Sequence, residues 1–114
     1  MTINRFDAGP RMSQAVVHNG TVYLAGQVAK GATVKDQTAS ILKQIDSLLA
    51  AAGTDKTKLI SASIWLTDMG TFAEMNSLWD PWVSPGNTPA RACVQSPKLA
   101  TPDYLVEIAV ICAI

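Results

Sequence analysis

The sequence predicts an α+β fold, a sheet with helices packed on one face and elements in the order β-β-α-β-α-β-β. Two observations carry that prediction. The pair Asn19-Gly20 divides two β-rich runs, and beyond it two segments of helical periodicity are each followed by a return to strand-like alternation. At 114 residues the chain fits one domain spanning 1–114, with no room for a separate regulatory module. A chain of this mass buries roughly two-thirds of its unfolded surface, which stabilises one core without much reserve and leaves apolar surface for a subunit interface.

Taken in order, AVVHNGTVYLAG reads as a hairpin pairing residues 14–18 with 21–27, because Asn-Gly supplies the positive φ angles of a tight turn. DQTASILKQIDSLLAAAG then places Ile41, Leu42, Ile45, Leu48, Leu49 and Ala52 on one helical stripe, with Gly53 ending the helix. A third strand over 58–67 alternates Ile60, Ala62, Ile64 and Leu66 against Ser61, Ser63, Trp65 and Thr67. Both of its faces are expected to be at least partly covered. TFAEMNSLWDPWV opens with Thr71 and Glu74 at capping-box spacing and carries Phe72, Met75, Leu78, Trp79 and Trp82 at helical intervals. Pro81 should kink or loosen its last turn, and Pro85-Gly86 should stop it. Two final strands, about 90–96 and 104–113, flank the polar connection SPKLATPD.

Nine Lys plus Arg balance nine Asp plus Glu, and no run of like charge occurs, so no nucleic-acid partner is expected. Cys93 and Cys112 sit in apolar stretches, and no charged segment followed by an apolar one opens the chain. These features predict a reduced cytoplasmic protein. The apolar runs are far shorter than the roughly eighteen residues of a membrane span, so no membrane partner is expected either. With a lone histidine, His18, beside the hairpin turn, the chain offers no metal-ligand cluster of recognisable spacing.

Strand alternation sets Arg91, Cys93 and Gln95 on one face of the fourth strand and Ala90, Ala92 and Val94 on the other. In the last strand Glu107 lies between Leu105 and Ala109, with Tyr104, Val106, Ile108 and Val110 opposite. A carboxylate in so apolar a strand needs a partner, water or a proton, because even a neutral polar group costs roughly 2–7 kcal/mol to bury alone. Arg91 is the candidate neighbour. The pair reads either as an ordinary structural ion pair or as two walls of one cavity, where the guanidinium could grip a substrate carboxylate while Glu107 activates water. Cys93 as a nucleophile lacks a nearby histidine, Cys112 reads as core filling, and the three tryptophans read as core rather than a stacking surface. Gly26, a glycine inside a strand pattern, marks a place where a ligand can approach the backbone closely.

NTPARACV, the strand LVEIAVIC, AGQV after the hairpin and FAEMN at the second helix together resemble the RidA/YjgF family, also catalogued as L-PSP, and most closely its short bacterial YoaB-like members. The resemblance covers essentially the whole chain. It implies a fold similar to trimeric chorismate mutase: a mixed sheet with two helices on one face, and a homotrimer with three clefts between subunits. It further implies hydrolysis of reactive 2-imino or enamine acids, such as 2-iminopropanoate and 2-iminobutanoate, to 2-keto acids and ammonia, with no cofactor. By resemblance Arg91 grips the substrate carboxylate, Glu107 positions the attacking water, Cys93 contacts substrate through its main chain, and Gly26 and Asn76 line the cleft. Met12 stands where many relatives have tyrosine, and Ala25 where they have serine, so the pocket is less polar. A non-catalytic module binding 2-keto acids in the same cleft is the alternative. The endoribonuclease activity attached to some relatives is a third, disfavoured by balanced charge and the absence of a basic stripe.

Overall fold

The computed structural model describes residues 2–114. Its strands are β1 (Asn4–Phe6), β2 (Ala15–His18), β3 (Thr21–Leu24), β4 (Leu59–Leu66), β5 (Ala90–Gln95) and β6 (Val106–Ala113); its helices are α1 (Val34–Ala51) and α2 (Phe72–Trp82). Short 3₁₀ turns at Lys56–Lys58 and Met69–Thr71 lead into β4 and α2. The six strands form one sheet in the order β1-β2-β3-β6-β4-β5, antiparallel throughout except for the parallel pair β4 and β5. The sheet is therefore mixed, and both helices lie on one of its faces.

That arrangement follows from where the apolar side chains fall. Ile41, Ile45 and Leu49 of α1, with Met75 and Trp79 of α2, bury against Val22, Ala62, Ile64, Leu66, Val106 and Ile108 from alternate positions of the strands. The helices cover only that face, and the shortest principal extent, 19 Å, matches a two-layer structure. The hairpin forms as expected, with Asn19 and Gly20 at φ 52° and 71° and Ala15 opposite Leu24. Thr33 caps α1, its hydroxyl accepting from the backbone N–H of Asp36 at 3.1 Å. None of the helices among the described residues is long and apolar enough to cross a membrane.

Four local expectations are corrected. An additional strand, β1, precedes the hairpin; three residues reading Asn-Arg-Phe have no alternation to detect, and the strand exists by adding to the edge of β2. The hairpin's second arm stops at Leu24 rather than 27, with Gln27 making an isolated bridge to Ile108. Ile60 does not share the buried face. A bulge pairs Leu59 with Cys112 and Ser61 with Ile111, turning Ile60 outward at 48% exposure while Leu59 takes the inward place. Thr71 and Glu74 form no capping box: the Thr71 hydroxyl donates to the Asp68 carbonyl at 2.7 Å, and the Glu74 carboxylate accepts from the Lys35 backbone N–H at 2.8 Å. The acid thus stabilises the first turn of the other helix, where backbone donors are free.

Candidate functional site

The predicted site residues fall into two groups. The first is built on the edge strand β5, whose parallel register sets Arg91 opposite Ala62 and Cys93 opposite Ile64, and so turns both toward the helices. Arg91 reaches over α2, its guanidinium carbon 5.6 Å from the centre of the Phe72 ring and 5.3 Å from that of Trp79. Its Nη1 donates to Asn76 Oδ1 at 2.8 Å. Phe72, Asn76 and Trp79 stand four and three residues apart, on one face of the helix. Cys93 is half-buried, and burial pushes its thiol up, opposed only in part by the Arg91 charge. It is a protonated thiol at neutral pH rather than a thiolate nucleophile.

The second group lies on the other side of the sheet. Glu107 pairs with Trp65, so its carboxylate leaves the sheet on the face without helices. Gly26 sits directly beside it. A Cβ built on Gly26 would fall 2.9 Å from Glu107 Cδ and nearer still to Oε2, so the carboxylate occupies the space a side chain would need. The close approach expected at this glycine is made by Glu107 of the same chain. Reciprocal backbone bonds between Gln27 and Ile108, at 2.8 and 3.1 Å, lock the two segments in that relation. The Gln27 side chain donates to Gln14 Oε1 at 2.9 Å, and Gln14 Nε2 in turn lies 3.9 Å from the sulfur of exposed Met12. Gly26 and Glu107 thus belong to one neighbourhood, whereas Met12 meets the Gln14 side chain, which with that of Gln27 lies beside Lys43 and Leu48 of α1 on the helix side of the sheet.

Arg91 and Glu107 are not neighbours within the chain. Strand β4 separates their strands, and the two side chains leave the sheet on opposite faces, so a structural ion pair and a cavity shared within one protomer are both ruled out. Two cavities are lined by neither Arg91 nor Glu107. One of about 390 Å³ lies over α1 beside Asp7, Gln14 and Gln27; one of about 490 Å³ is ringed by Pro97, Lys98, Pro102 and Tyr104. Among the described residues, no group of three or more His, Cys, Asp or Glu side chains is placed to hold a metal ion.

Two contributors escape sequence reasoning. The aromatic rings beneath Arg91 read as core from their spacing, and only the structure shows that an arginine shares them. Gln37, fully buried in α1, donates to the carbonyls of Gly31 and Asp103 at 3.0 and 2.9 Å and accepts from the Leu105 N–H at 2.9 Å. It pins the start of β6 two residues before Glu107. Its signal was a glutamine at a buried position, next to Thr38 and four residues before Ile41.

A family model described as endoribonuclease L-PSP matches residues 2–114. A solved structure of a YjgF-family protein from Neisseria meningitidis superposes with a TM-score of 0.96 at 48% identity, covering 99% of this chain and 95% of that one. The chain belongs to the RidA/YjgF family. Within the family it is similar to the RutC family protein YoaB of Escherichia coli K12, 43% identical over the full length of both. It also resembles the Rid-family protein YyfA of Yersinia pestis, at 30% identity and a TM-score of 0.88, with 94% of this chain and 90% of that one covered. The two helices on a mixed six-stranded sheet are the RidA/YjgF fold.

Proposed function

We propose that the protein is a cytoplasmic homotrimeric hydrolase of 2-imino acids, in which the Arg91 group of one copy and the Glu107 group of the next close over one substrate. The observation that carries this reading is the division itself. A cation set to hold a carboxylate and an acid set against a bare backbone stand on opposite faces, where a second copy can bring them together. The open sheet face supports it too: Ser61, Ser63, Ala92 and Ala109 are small enough to let another sheet approach, and Tyr23 and Val94 are 46% and 51% exposed.

In the proposed reaction Arg91 holds the substrate carboxylate by two parallel hydrogen bonds, which fixes the imine carbon. Glu107 takes a proton from water as the water oxygen bonds to that carbon, and the C=N bond opens to an amine. That proton passes to the nitrogen to complete the amine, and the hydroxyl then gives its own proton, through Glu107, to the same nitrogen as the C–N bond breaks and the carbonyl forms. One imine and one water give one 2-keto acid and one ammonia, and no cofactor enters the balance. 2-Iminopropanoate and 2-iminobutanoate are the substrates proposed. A site that binds 2-keto acids without turnover would use the same arginine.

The test is ammonia release from imines generated in place by an amino-acid oxidase. Arg91→Ala and Glu107→Gln are each expected to lose about a hundredfold or more in rate while remaining folded. Gly26→Ala should lose rate as well, because its methyl group displaces the Glu107 carboxylate. Co-refolding the two inactive variants in equal amounts should restore about a quarter of the wild-type sites if each site in a cyclic trimer draws on two chains. No recovery would sink the shared site, and binding of 2-keto acids without turnover would leave the binding module as the function.

A further inference from the structure

An exposed arginine on an edge strand has no need of three partners from one helix, yet Arg91 has them. Phe72 and Trp79 lie within 5.6 Å and 5.3 Å of its guanidinium carbon, and Asn76, between them on the same face of α2, takes one Nη1 hydrogen at 2.8 Å. We infer that α2 is a preorganising cradle for the carboxylate grip, with Phe72, Asn76 and Trp79 as positioning residues that act through Arg91. This rests on the reading above that Arg91 holds the substrate carboxylate.

The chemistry of each contact assigns its part. Aromatic faces restrain the guanidinium without consuming any of its five N–H donors. The single bond to Asn76 fixes rotation at the Nη1 end and leaves the Nε and Nη2 edge for a carboxylate to meet with two parallel bonds. A neutral amide at position 76 does this without cancelling the charge, whereas an aspartate would supply a competing carboxylate inside the protein. Asn76 therefore works on the arginine, a different part from the direct cleft lining that the family resemblance implied for it.

Binding of 2-oxobutanoate, measured by calorimetry on the assembled protein, tests the inference with Arg91→Ala, Phe72→Leu, Asn76→Ala and Asn76→Asp. Phe72→Leu and Asn76→Ala are each expected to weaken binding about threefold to tenfold, and Asn76→Asp by more than Asn76→Ala. In turnover the first two should raise KM with little change in kcat, since they loosen a contact made equally in ground and transition states. A direct signature accompanies these: the Arg91 Nε–H resonance of the wild type is shifted by the ring currents and moves toward those of Arg5 and Arg11 in Phe72→Leu. If Arg91→Ala abolishes binding while Phe72→Leu and both Asn76 variants bind as wild type, the cradle is overturned and the grip stands. If Arg91→Ala itself binds as wild type, the grip fails and the cradle with it.

Discussion

The two faces of the sheet differ as two molecules might. Toward the helices, Val22, Ile64, Leu66, Val106, Ile108 and Val110 are each 1% exposed or less, and they share one buried core with side chains of α1 and α2. Away from them the same strands present Ser61, Ser63, Trp65, Glu107 and Ala109, with Tyr23 and Val94 about half exposed. A face that merely met water would carry charges in alternation, whereas this one is mostly small, aliphatic and aromatic, with Glu107 on β6 and Arg5 out on the β1 edge. One face is committed to making the protomer, and the other is the one that the proposed trimer would cover and use.

Placing a charge on the open face should separate those roles most sharply. Ala109→Asp puts a carboxylate at the middle of β6, where a protomer tolerates it and a packed interface does not. On the proposed trimeric reading, light scattering should then report the mass of one chain where the wild type gives three, with a near-native circular dichroism spectrum and the proposed imine hydrolysis lost. Retention of the assembled mass would break the comparison. On the helix face, Ile64→Ala removes a side chain 1% exposed and should cost about 2–5 kcal/mol. At fixed protein concentration this lowers Tm by about 10 °C or more.

The smallest effect is expected at the turn before β4. Asp55, fully exposed, is held below its ordinary value of 3.8 chiefly by hydrogen bonds from the Thr57 hydroxyl and then the Thr57 backbone N–H. Because the folded form favours the charged acid, its contribution is present above the unfolded value and disappears as pH falls through the lower folded one. Wild type should therefore melt slightly above Asp55→Asn at pH 7, and the gap should close below about pH 4. A constant gap down to pH 2 would assign the effect to geometry instead of charge.

Elements whose period is long enough to repeat were legible in the sequence: the hairpin from Asn19-Gly20, both helices from their stripes, and the inward set of β6 from strict alternation. Features that depend on a neighbour were not. β1 exists because β2 has a free edge; Ile60 turns outward because the opposing strand is one residue shorter there; Glu74 serves α1 because folding brings Lys35 to it. The site shows the same divide. Arg91 and Glu107 were found as residue types out of place in their strands, and alternation gave each its own face correctly. Their mutual placement required knowing that β4 lies between them and that β5 runs parallel to it, which is information about topology that no local pattern contains.

The position of β6 has a consequence for how the chain acquires its shape. It is the last of the described elements along the chain, yet it lies between β3 and β4, the only strand bonded to both. Before it arrives, the meander of β1 to β3 and the parallel pair of β4 and β5 share no strand ladder, and each presents an unpaired edge. Without β6 these are two open fragments, and the sheet becomes continuous only when that strand enters at its middle, after the elements that precede it in the chain. That same strand brings Glu107, so the acid is set against Gly26 at the step that closes the sheet.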